Sequence, residues 1–340
     1  MKFIITGGGT GGHLAIASSL VDALIEDGHE AIFIGSTNGQ DRSWFQENSS
    51  FSYVYFLNTS GVVNKKGLAK VGSLFNIIKA ILKSFFILRS QKVQAVISVG
   101  GYSAAPASFA SILAFKKLYI HEQNAKIGRL NSILKPFASG FFSSYESDSA
   151  LKSYPVKEEL FKTSRVRSKI TTIIFLGGSQ GAKAINDLAL KVAPILSEKE
   201  INIIHQCGKS DYERVKNSYK ELHIEVELFS FSNELEKLIE RSDLAVSRSG
   251  ASTLWELCAA KLPAFFVPYP YAAGDHQFFN AKFIVDNNLG WMMRENENLE
   301  EKLLSILDED LTQKSTNLGS YISPNGAKDI IKQIIKDITK

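Results

Sequence analysis

Glycine-rich stretches next to polar side chains are the first candidates for chemistry in this sequence. The opening one runs from Thr6 to His13 and joins an apolar run at residues 2–6 to apolar residues at helical spacing over 14–24. Glycines let the backbone approach an anion closely, and the N–H groups at the start of a helix point at it with the positive end of the helix dipole. The stretch therefore predicts a phosphate or nucleotide site.

The glycine spacing at residues 7–12 formally matches the fingerprint of dinucleotide-binding folds, but one such match is weak. A dinucleotide site also needs an acidic residue at the end of the second strand, where it holds the ribose hydroxyls. The second predicted strand, 30–34, is followed by residues 35–37 without a carboxylate before Asp41. We therefore expect an anion site and do not expect a nicotinamide enzyme.

The same succession of apolar run, glycine loop and predicted helix occurs again in the second half of the chain. An apolar run at 172–176 leads into a glycine loop at 177–181 and a predicted helix at 182–196. Strands alternate with helices throughout, which predicts parallel sheets. Further strands are expected at 53–56, 95–99, 118–120, 140–143, 202–206, 224–227, 244–247 and 263–268. We predict an α/β fold of two Rossmann-like domains with parallel sheets facing across a cleft.

The predicted domain boundary lies in a segment of mixed charge without a clear period, residues 154–169. We expect an N-terminal domain over 1–156 and a C-terminal domain over 157–322, with a last helix at about 323–340 packing back on the first domain. A chain of 340 residues is long for one hydrophobic core, which agrees with two domains.

Composition limits the class of protein and its partners. With 44% hydrophobic and 22% charged residues the chain is typical of globular proteins, and its net charge of +4 suits anionic ligands. Nucleic acid is not an expected partner, because no arginine-rich tract or nucleic-acid module is present. Cys207 and Cys258 are not at metal-binding spacing, which favours a reducing compartment. We expect no signal peptide, and no apolar run approaches the roughly 18 residues of a spanning helix.

Residues 74–89 form an unusual predicted helix with an apolar face broader than one core contact needs. Two interpretations remain open: a helix packed between other elements, or a face that rests in an anionic membrane interface. The apolar face and its lysines include Phe75, Ile78, Lys79, Leu82, Lys83, Phe85 and Phe86.

Polar residues follow several predicted strands, where open α/β sheets bind their ligands. His121 to Asn124 follow the strand at 118–120, and Gly100 to Tyr102 follow the strand at 95–99. An alternative role for His121 to Asn124 is to cap the next helix.

Seven stretches closely resemble the motifs of the MurG family of peripheral membrane glycosyltransferases, in the family's order and over nearly the whole chain. They are Thr6–His13, Val99–Tyr102, His121–Asn124, Leu176–Ala182, His205–Lys209, Ser249–Glu256 and Asp275–Asn280. The resemblance implies the two-domain GT-B fold, with the nucleotide sugar held mainly by the C-terminal domain and the acceptor by the N-terminal one.

The family's reaction is inverting transfer of N-acetylglucosamine from UDP-GlcNAc to the C4 hydroxyl of the muramoyl sugar of lipid I, which gives lipid II for peptidoglycan. Lipid I is an undecaprenyl-diphosphate-linked muramyl peptide. The resemblance thus implies that the reaction takes place at the cytoplasmic face of the bacterial inner membrane. It also implies the anionic leaflet of that membrane and other cell-wall enzymes as partners. No cofactor is expected besides the substrate.

The resemblance assigns donor contacts to Thr10, Gly11, Gly12, Asn124, Ser179, Ala251, Ser252, Thr253, Leu254, Trp255, Glu256 and Gln277. Glu256 lies more than one turn into its helix, so its carboxylate can accept both ribose hydroxyls, while N–H groups at 251–253 can hold the diphosphate. A solvated acid and ordinary first-turn residues are the alternatives. Lys157 stands where the family commonly has arginine; lysine keeps the charge but loses the bidentate fork.

His13 is the expected general base, because the helix dipole disfavours its cationic form. A hydrogen bond to an acceptor phosphate or to the glycine loop is its alternative role, and Glu122 is the rival base. Lys65, Lys66 and the loops at Gly11 and at Gly100, Gly101 and Tyr102 are expected to cradle the acceptor. No metal site is predicted, since the acidic residues 308–310 lie at a late helix end.

Three other functions remain as alternatives at this point. A UDP-GlcNAc 2-epimerase has the same architecture and would convert UDP-GlcNAc without an acceptor. A non-catalytic nucleotide-sugar binding protein would keep the apolar helix but form no disaccharide. A nicotinamide enzyme is disfavoured by the missing acid after residue 34.

Overall fold

A computed structural model of the chain describes residues 1–60, 67–146, 149, 151–178, 181–232 and 234–340, with the side chains of 67–71 outside that description. The chain divides into two compact units, one of residues 1–156 with 325–340 and one of residues 157–324. Each unit is built around a six-stranded parallel sheet. The predicted α/β fold with two Rossmann-like sheets is confirmed.

The first unit has the sheet order β3-β2-β1-β4-β5-β6. Its strands are β1 (Lys2–Thr6), β2 (Glu30–Ser36), β3 (Tyr53–Leu57), β4 (Ala95–Ser98), β5 (Lys117–Glu122) and β6 (Gly140–Ser143). Its helices are α1 (Gly11–Glu26), α2 (Asp41–Phe45), α3 (Gly67–Ser90), α4 (Ala105–Leu113), α5 (Arg129–Leu134) and the last helix of the chain, α14 (Gly326–Thr339).

The second unit has the order β12-β11-β10-β7-β8-β9. Its strands are β7 (Thr172–Leu176), β8 (Asn202–Gln206), β9 (Glu227–Phe229), β10 (Leu244–Ser247), β11 (Ala264–Phe266) and β12 (Trp291–Met292). Its helices are α6 (Glu158–Lys162), α7 (Lys183–Glu198), α8 (Tyr212–Glu221), α9 (Leu235–Arg241), α10 (Ala251–Ala259), α11 (His276–Asp286), α12 (Leu299–Ile306) and α13 (Thr312–Leu318).

The two sheets share one topology, which decides where ligands can bind. The strand order reverses between β1 and β4 in the first unit and between β7 and β10 in the second. Ligands of open α/β sheets bind beyond the carboxyl ends of the strands at such a switch point. The glycine loops that follow β1, β4 and β7 all begin at these two points.

The central strands are continuous apolar runs because helices cover both faces of each sheet. Phe3, Ile4 and Ile5 of β1 and Ile173 and Ile174 of β7 are fully buried. Burial of such runs removes apolar surface from water, which is the main favourable term in folding.

The last helix, α14, lies against α1 of the first unit. Lys328 forms an ion pair with Glu26 at 2.8 Å, and the hydroxyl of Tyr119 donates to Oδ2 of Asp337 at 2.6 Å. Burial and the Asp337 carboxylate both raise the pKa of Tyr119. The phenol therefore stays protonated and keeps donating to the carboxylate.

Two sequence predictions are corrected, one in the second unit and one on α3. The strand expected at 224–227 is β9 at Glu227–Phe229, and α3 begins at Gly67 instead of near residue 74. The segment in which the domain boundary was predicted, 154–169, contains α6 and a buried arginine, Arg167, which is 1% exposed. Its guanidinium donates to the carbonyls of Arg165, Ile239, Ser242 and Ala260.

Candidate active site

The start of α10 is open to a ligand in the second unit. Gly250 precedes the helix with an ordinary φ of −63°, and a Cβ at this position would meet nothing within 4 Å in the described part of the chain. Neither backbone conformation nor internal packing therefore requires a glycine. The N–H groups in the first turn of a helix have no intrahelical partner, and glycine has no side chain to cap them. An anion can approach this helix end closely.

A pocket of about 110 Å³ lies at the switch point between β7 and β10. It is smaller than the roughly 300 to 1,000 Å³ of complete ligand pockets, so it has room for one portion of a nucleotide sugar. It is lined by Leu176, Gly177, Gly178, Gln206, Leu235, Ser247, Arg248, Gly250, Thr253 and Gln277. The predicted donor residues Thr253 and Gln277 thus share one pocket.

Glu256 lies in the second turn of α10 and is partly buried. Within the described ranges its carboxylate makes no hydrogen bond and no ion pair. Burial raises the pKa of Glu256, Glu236 adds to the rise, and the ammonium of Lys157 at the start of α6 opposes it. A partly desolvated carboxylate of this kind gains most from hydroxyl donors supplied by a ligand.

Gln277 has its amide oriented by the protein. The side-chain oxygen accepts from the N–H of Tyr269 at 2.9 Å, and the backbone carbonyl accepts from the hydroxyl of Ser249 at 2.7 Å. Among the described residues the amide NH₂ makes no hydrogen bond, so it can donate to a ligand acceptor such as a sugar or phosphate oxygen.

Two of the predicted donor residues have fully buried side chains. Leu254 and Trp255 are 0% exposed, and the ring of Trp255 packs 5.8 Å from that of Phe283. The N–H of Leu254 already donates to the carbonyl of Gly250. These side chains anchor α10 in the core, whereas Ser252 and Thr253 on its first turn are partly exposed. Ala251 contributes its backbone at the first helical position.

In the first unit, the two glycine loops pack backbone to backbone. The N–H of Gly8 donates to the carbonyl of Gly100 at 3.2 Å, and a Cβ on Gly7 would lie 2.5 Å from the same oxygen. Gly100 and Gly101 both have positive φ, at 86° and 78°. Glycine is required here because the chain needs both the conformation and the close approach.

His13 lies in the first turn of α1, which also includes Gly11 and Gly12, and is partly exposed. Its Nδ1 lies 2.8 Å from Oγ1 of Thr10, the residue that precedes the helix. When Nδ1–H donates to this hydroxyl, Nε2 is the unprotonated nitrogen, as a base requires. A Cβ on Gly100 would lie 3.4 Å from Nε2, so the second glycine loop borders the imidazole.

Glu122, the rival base, is 3% exposed, and both of its carboxylate oxygens accept hydrogen bonds. Oε1 accepts from the N–H of Asn124 at 3.0 Å, while Oε2 accepts from the N–H of Gly128 at 2.9 Å and the amide of Asn131 at 2.8 Å. These bonds hold both oxygens of the carboxylate against the loop that follows β5. The geometry gives Glu122 the role of holding the loop after β5, including Asn124.

The remaining predicted contacts divide between exposed and undescribed residues. Phe75, Ile78, Leu82 and Phe86 of α3 are exposed, as are Lys79 and Lys83. Phe85 is partly buried against the core of the first unit, which corrects its assignment to the outer face. Lys65, Lys66 and Ser179 lie outside the described residues. Tyr102 occupies a single helical turn after Gly101, and its hydroxyl donates to the carbonyl of Asn38 at 2.8 Å.

Comparison with known proteins gives the family. The profile of the glycosyltransferase family 28 N-terminal domain matches residues 3–143, and that of the family's C-terminal domain matches residues 172–334. A protein of Sulfurimonas denitrificans is 58% identical and one of Wolinella succinogenes is 53% identical, with 98% or more of each chain covered. Both are named UDP-N-acetylglucosamine--N-acetylmuramyl-(pentapeptide) pyrophosphoryl-undecaprenol N-acetylglucosamine transferase. The chain belongs to the MurG family of family 28 glycosyltransferases.

Solved structures agree with this membership of the MurG family. The crystal structure of Acinetobacter baumannii MurG is 26% identical, with a TM-score of 0.82 over 98% of this chain and 99% of that one. A UDP complex of Staphylococcus aureus MnaA is 14% identical with a TM-score of 0.66, which is a likeness of fold alone. This MurG-family chain is therefore a hexosyltransferase with the GT-B fold.

Sequence reasoning missed two residues of this MurG-family chain, one in each unit. Arg248 lines the pocket of the second unit, donates to the carbonyls of Val267 and Pro268 and pairs with Glu295. Asp41 is buried inside the first glycine loop. The position of Arg248 just after β10 was a usable signal, because strand ends at a switch point carry ligands. Asp41 was harder to find, because the glycine loop that it holds lies 32 residues away in the sequence.

Within the described part of this MurG-family chain, no helix is both long and apolar enough to cross a bilayer. Over the same ranges, no three His, Cys, Asp or Glu side chains are grouped so that they could hold a metal ion.

Proposed function

We propose that this protein is an inverting transferase that moves N-acetylglucosamine from UDP-GlcNAc to the C4 hydroxyl of the muramoyl sugar of lipid I, giving lipid II. The names of the relatives at 58% and 53% identity support these substrates. The observation that carries the proposal is the Glu256 carboxylate, which has no hydrogen bond among the described residues and follows an open helix start.

The donor would bind with its diphosphate at the first turn of α10, next to Gly250. There the helix N–H groups stabilise the negative charge that grows on UDP as the glycosidic bond breaks. Glu256 would accept the ribose hydroxyls one turn further along. Lys157 supplies a cation on the same side of the site, and the amide of Gln277 donates to a sugar or phosphate oxygen.

The acceptor hydroxyl would attack the anomeric carbon on the face opposite UDP. A new C–O bond forms, the bond to UDP breaks, and the hydroxyl proton passes to a base. We assign that base to Nε2 of His13, because Thr10 orients the ring at 2.8 Å, whereas the hydrogen bonds of Glu122 hold its carboxylate in the loop after β5. Glu122 then positions Asn124 and Asn131.

We further propose that no metal ion takes part, because the helix start and Lys157 already meet the charge of the leaving group. The expected result is full transfer activity in the presence of a chelator such as EDTA. A loss of activity that added Mg²⁺ restores would contradict this part.

Peripheral membrane binding at the cytoplasmic face is proposed from the exposed face of α3. Phe75, Ile78, Leu82 and Phe86 offer apolar surface, and Lys79 and Lys83 beside them attract anionic headgroups. The lipid acceptor would be reached at that surface.

One assay tests the function against its rivals. Purified protein with radiolabelled UDP-GlcNAc and a lipid I analogue should yield a labelled disaccharide lipid only when both substrates are present. An epimerase would convert UDP-GlcNAc without acceptor, and a binding protein would form no product. Either of these results would overturn the proposal.

A further inference from the structure

The buried carboxylate of Asp41 lies inside the first glycine loop. Asp41 begins α2 and is 0% exposed. Oδ1 accepts from the N–H of Gly9 at 2.5 Å, and Oδ2 accepts from the N–H of Ser36 at 2.8 Å. A Cβ on Gly8 would lie 2.5 Å from Oδ1, and one on Gly35 would lie 2.8 Å from Oδ2. Both glycines are needed to make room for this carboxylate.

Two N–H groups of the first glycine loop, those of Gly8 and Gly9, are thus used inside the protein. Glycine loops at the start of helices commonly hold ligand phosphates. Here the N–H of Gly9 is taken by Asp41 and that of Gly8 by the carbonyl of Gly100. An external phosphate would have to displace a fully buried carboxylate from this loop.

The loop is also fixed from its other side by an aromatic ring. A Cβ on Gly9 would lie 2.8 Å from Cε1 of Tyr102, so the ring packs directly on the glycine backbone. Burial raises the pKa of Tyr102, and the nearby charge of Asp41 raises it further. The neutral phenol keeps donating to the carbonyl of Asn38 at 2.8 Å.

Gly9 is followed at once by Thr10, whose hydroxyl lies 2.8 Å from Nδ1 of His13. We infer that Asp41 is a positioning residue: its carboxylate takes the place of a ligand anion in the first glycine loop and thereby fixes Thr10 and His13 for proton transfer. This inference rests on the proposed function, in which His13 is the base. The N–H groups of Gly8 and Gly9 then hold the loop that carries the base and do not bind the diphosphate of a substrate.

Asp41→Asn tests the inference, since it keeps the shape but replaces one acceptor oxygen by an NH₂ that faces an N–H group. We expect kcat to fall about 10- to 100-fold, because a small misplacement of a catalytic group has effects of that size. The Michaelis constant for UDP-GlcNAc should stay within twofold of wild type. Glu47→Gln, the same exchange at an exposed acid just after α2, is the matched control and should keep kcat.

A second readout does not depend on activity. The ring signals of His13 in an NMR spectrum of labelled protein should shift in Asp41→Asn and stay in place in Glu47→Gln. A purely structural role would lower the melting temperature but leave kcat per folded molecule and the His13 signals unchanged. Wild-type kcat in folded Asp41→Asn would overturn the inference, while an inactive wild type would overturn the proposed function instead.

Discussion

Oγ1 of Thr10 and Nδ1 of His13 lie 2.8 Å apart at the first turn of α1. The contact fixes the imidazole through the residue that precedes the helix, so it links the glycine loop to the proposed base. Replacing His13 by alanine should lower kcat about 10²- to 10⁴-fold, the usual contribution of a general base. Steady-state rates with a lipid I analogue measure this, and a His13→Ala variant with normal kcat would exclude the base assignment.

Thr10 should act through the orientation of His13. Thr10→Val keeps the shape and removes the hydroxyl, so we expect kcat to fall about tenfold, the effect of about 1.4 kcal/mol for one hydrogen bond. Thr10→Ser retains the hydroxyl and serves as the control. Equal rates for the valine and serine variants would show that the 2.8 Å contact has no part in catalysis.

Glu256 should control donor affinity. Glu256→Gln weakens the contact to the ribose hydroxyls, and Glu256→Ala removes it. For the alanine variant we expect the Michaelis constant for UDP-GlcNAc to rise about 10- to 100-fold, since a charge-assisted hydrogen bond contributes about 1.5 to 3 kcal/mol. Glu236→Gln, which also removes a nearby negative charge, is the control. An unchanged constant in Glu256→Ala would refute the assignment.

The raised pKa of Glu256 makes both stability and binding depend on pH. A carboxyl with a raised pKa in the folded state costs stability as pH rises through that pKa, so Glu256→Gln should melt at a higher temperature than wild type at pH 7. Ribose hydroxyls favour the ionised form, so wild-type affinity for UDP should fall as pH drops through the same range. Calorimetric titration across pH 4.5 to 7 measures this; equal pH dependence in wild type and Glu256→Gln would count against it.

Membrane binding should depend on the exposed side chains of α3. Leu82→Ser with Phe86→Ser removes two exposed apolar groups, so binding to anionic liposomes in a flotation assay should fall about tenfold or more. Leu222→Ser at the end of α8, also exposed, is the control. Activity on a water-soluble acceptor analogue should persist in the double variant. Unchanged liposome binding would remove α3 as the contact surface.

Arg167 should stabilise the second unit. Burial lowers its pKa to about 10, so the guanidinium is still charged at pH 7 and donates to four carbonyls. Arg167→Met leaves these carbonyls unsatisfied, and we expect a loss of at least about 2 kcal/mol in the free energy of unfolding. Arg165→Met, at a more exposed arginine, should cost less. Urea unfolding compares the two, and equal midpoints would contradict this reasoning.

The parts of the fold that the sequence predicts are those that follow from short-range patterns of residues. Apolar runs such as residues 2–6 and 172–176 mark strands that are buried on both faces, and glycines mark the loops that follow them. The position of Glu256 in a helix after a strand also follows from local pattern. These features need no knowledge of distant contacts, and the structure has them where they were expected.

The features that the sequence did not predict all depend on distant partners. Asp41 is an isolated acid in the sequence pattern, but its carboxylate accepts a hydrogen bond from the N–H of Gly9, 32 residues away. Arg167 reads as part of a charged linker, but its carbonyl acceptors include residues more than 70 positions away. Phe85 and Phe86 are adjacent in sequence. Only the packing of α3 decides that Phe85 lies against the core of the first unit while Phe86 is exposed.

A structure with bound UDP tests the central claim most directly. The account predicts the ribose hydroxyls within hydrogen-bond distance of the Glu256 carboxylate and the diphosphate at the first turn of α10, beside Gly250 and Ser252. UDP with its diphosphate in the glycine loop at residues 7–9, in place of the Asp41 carboxylate, would contradict it.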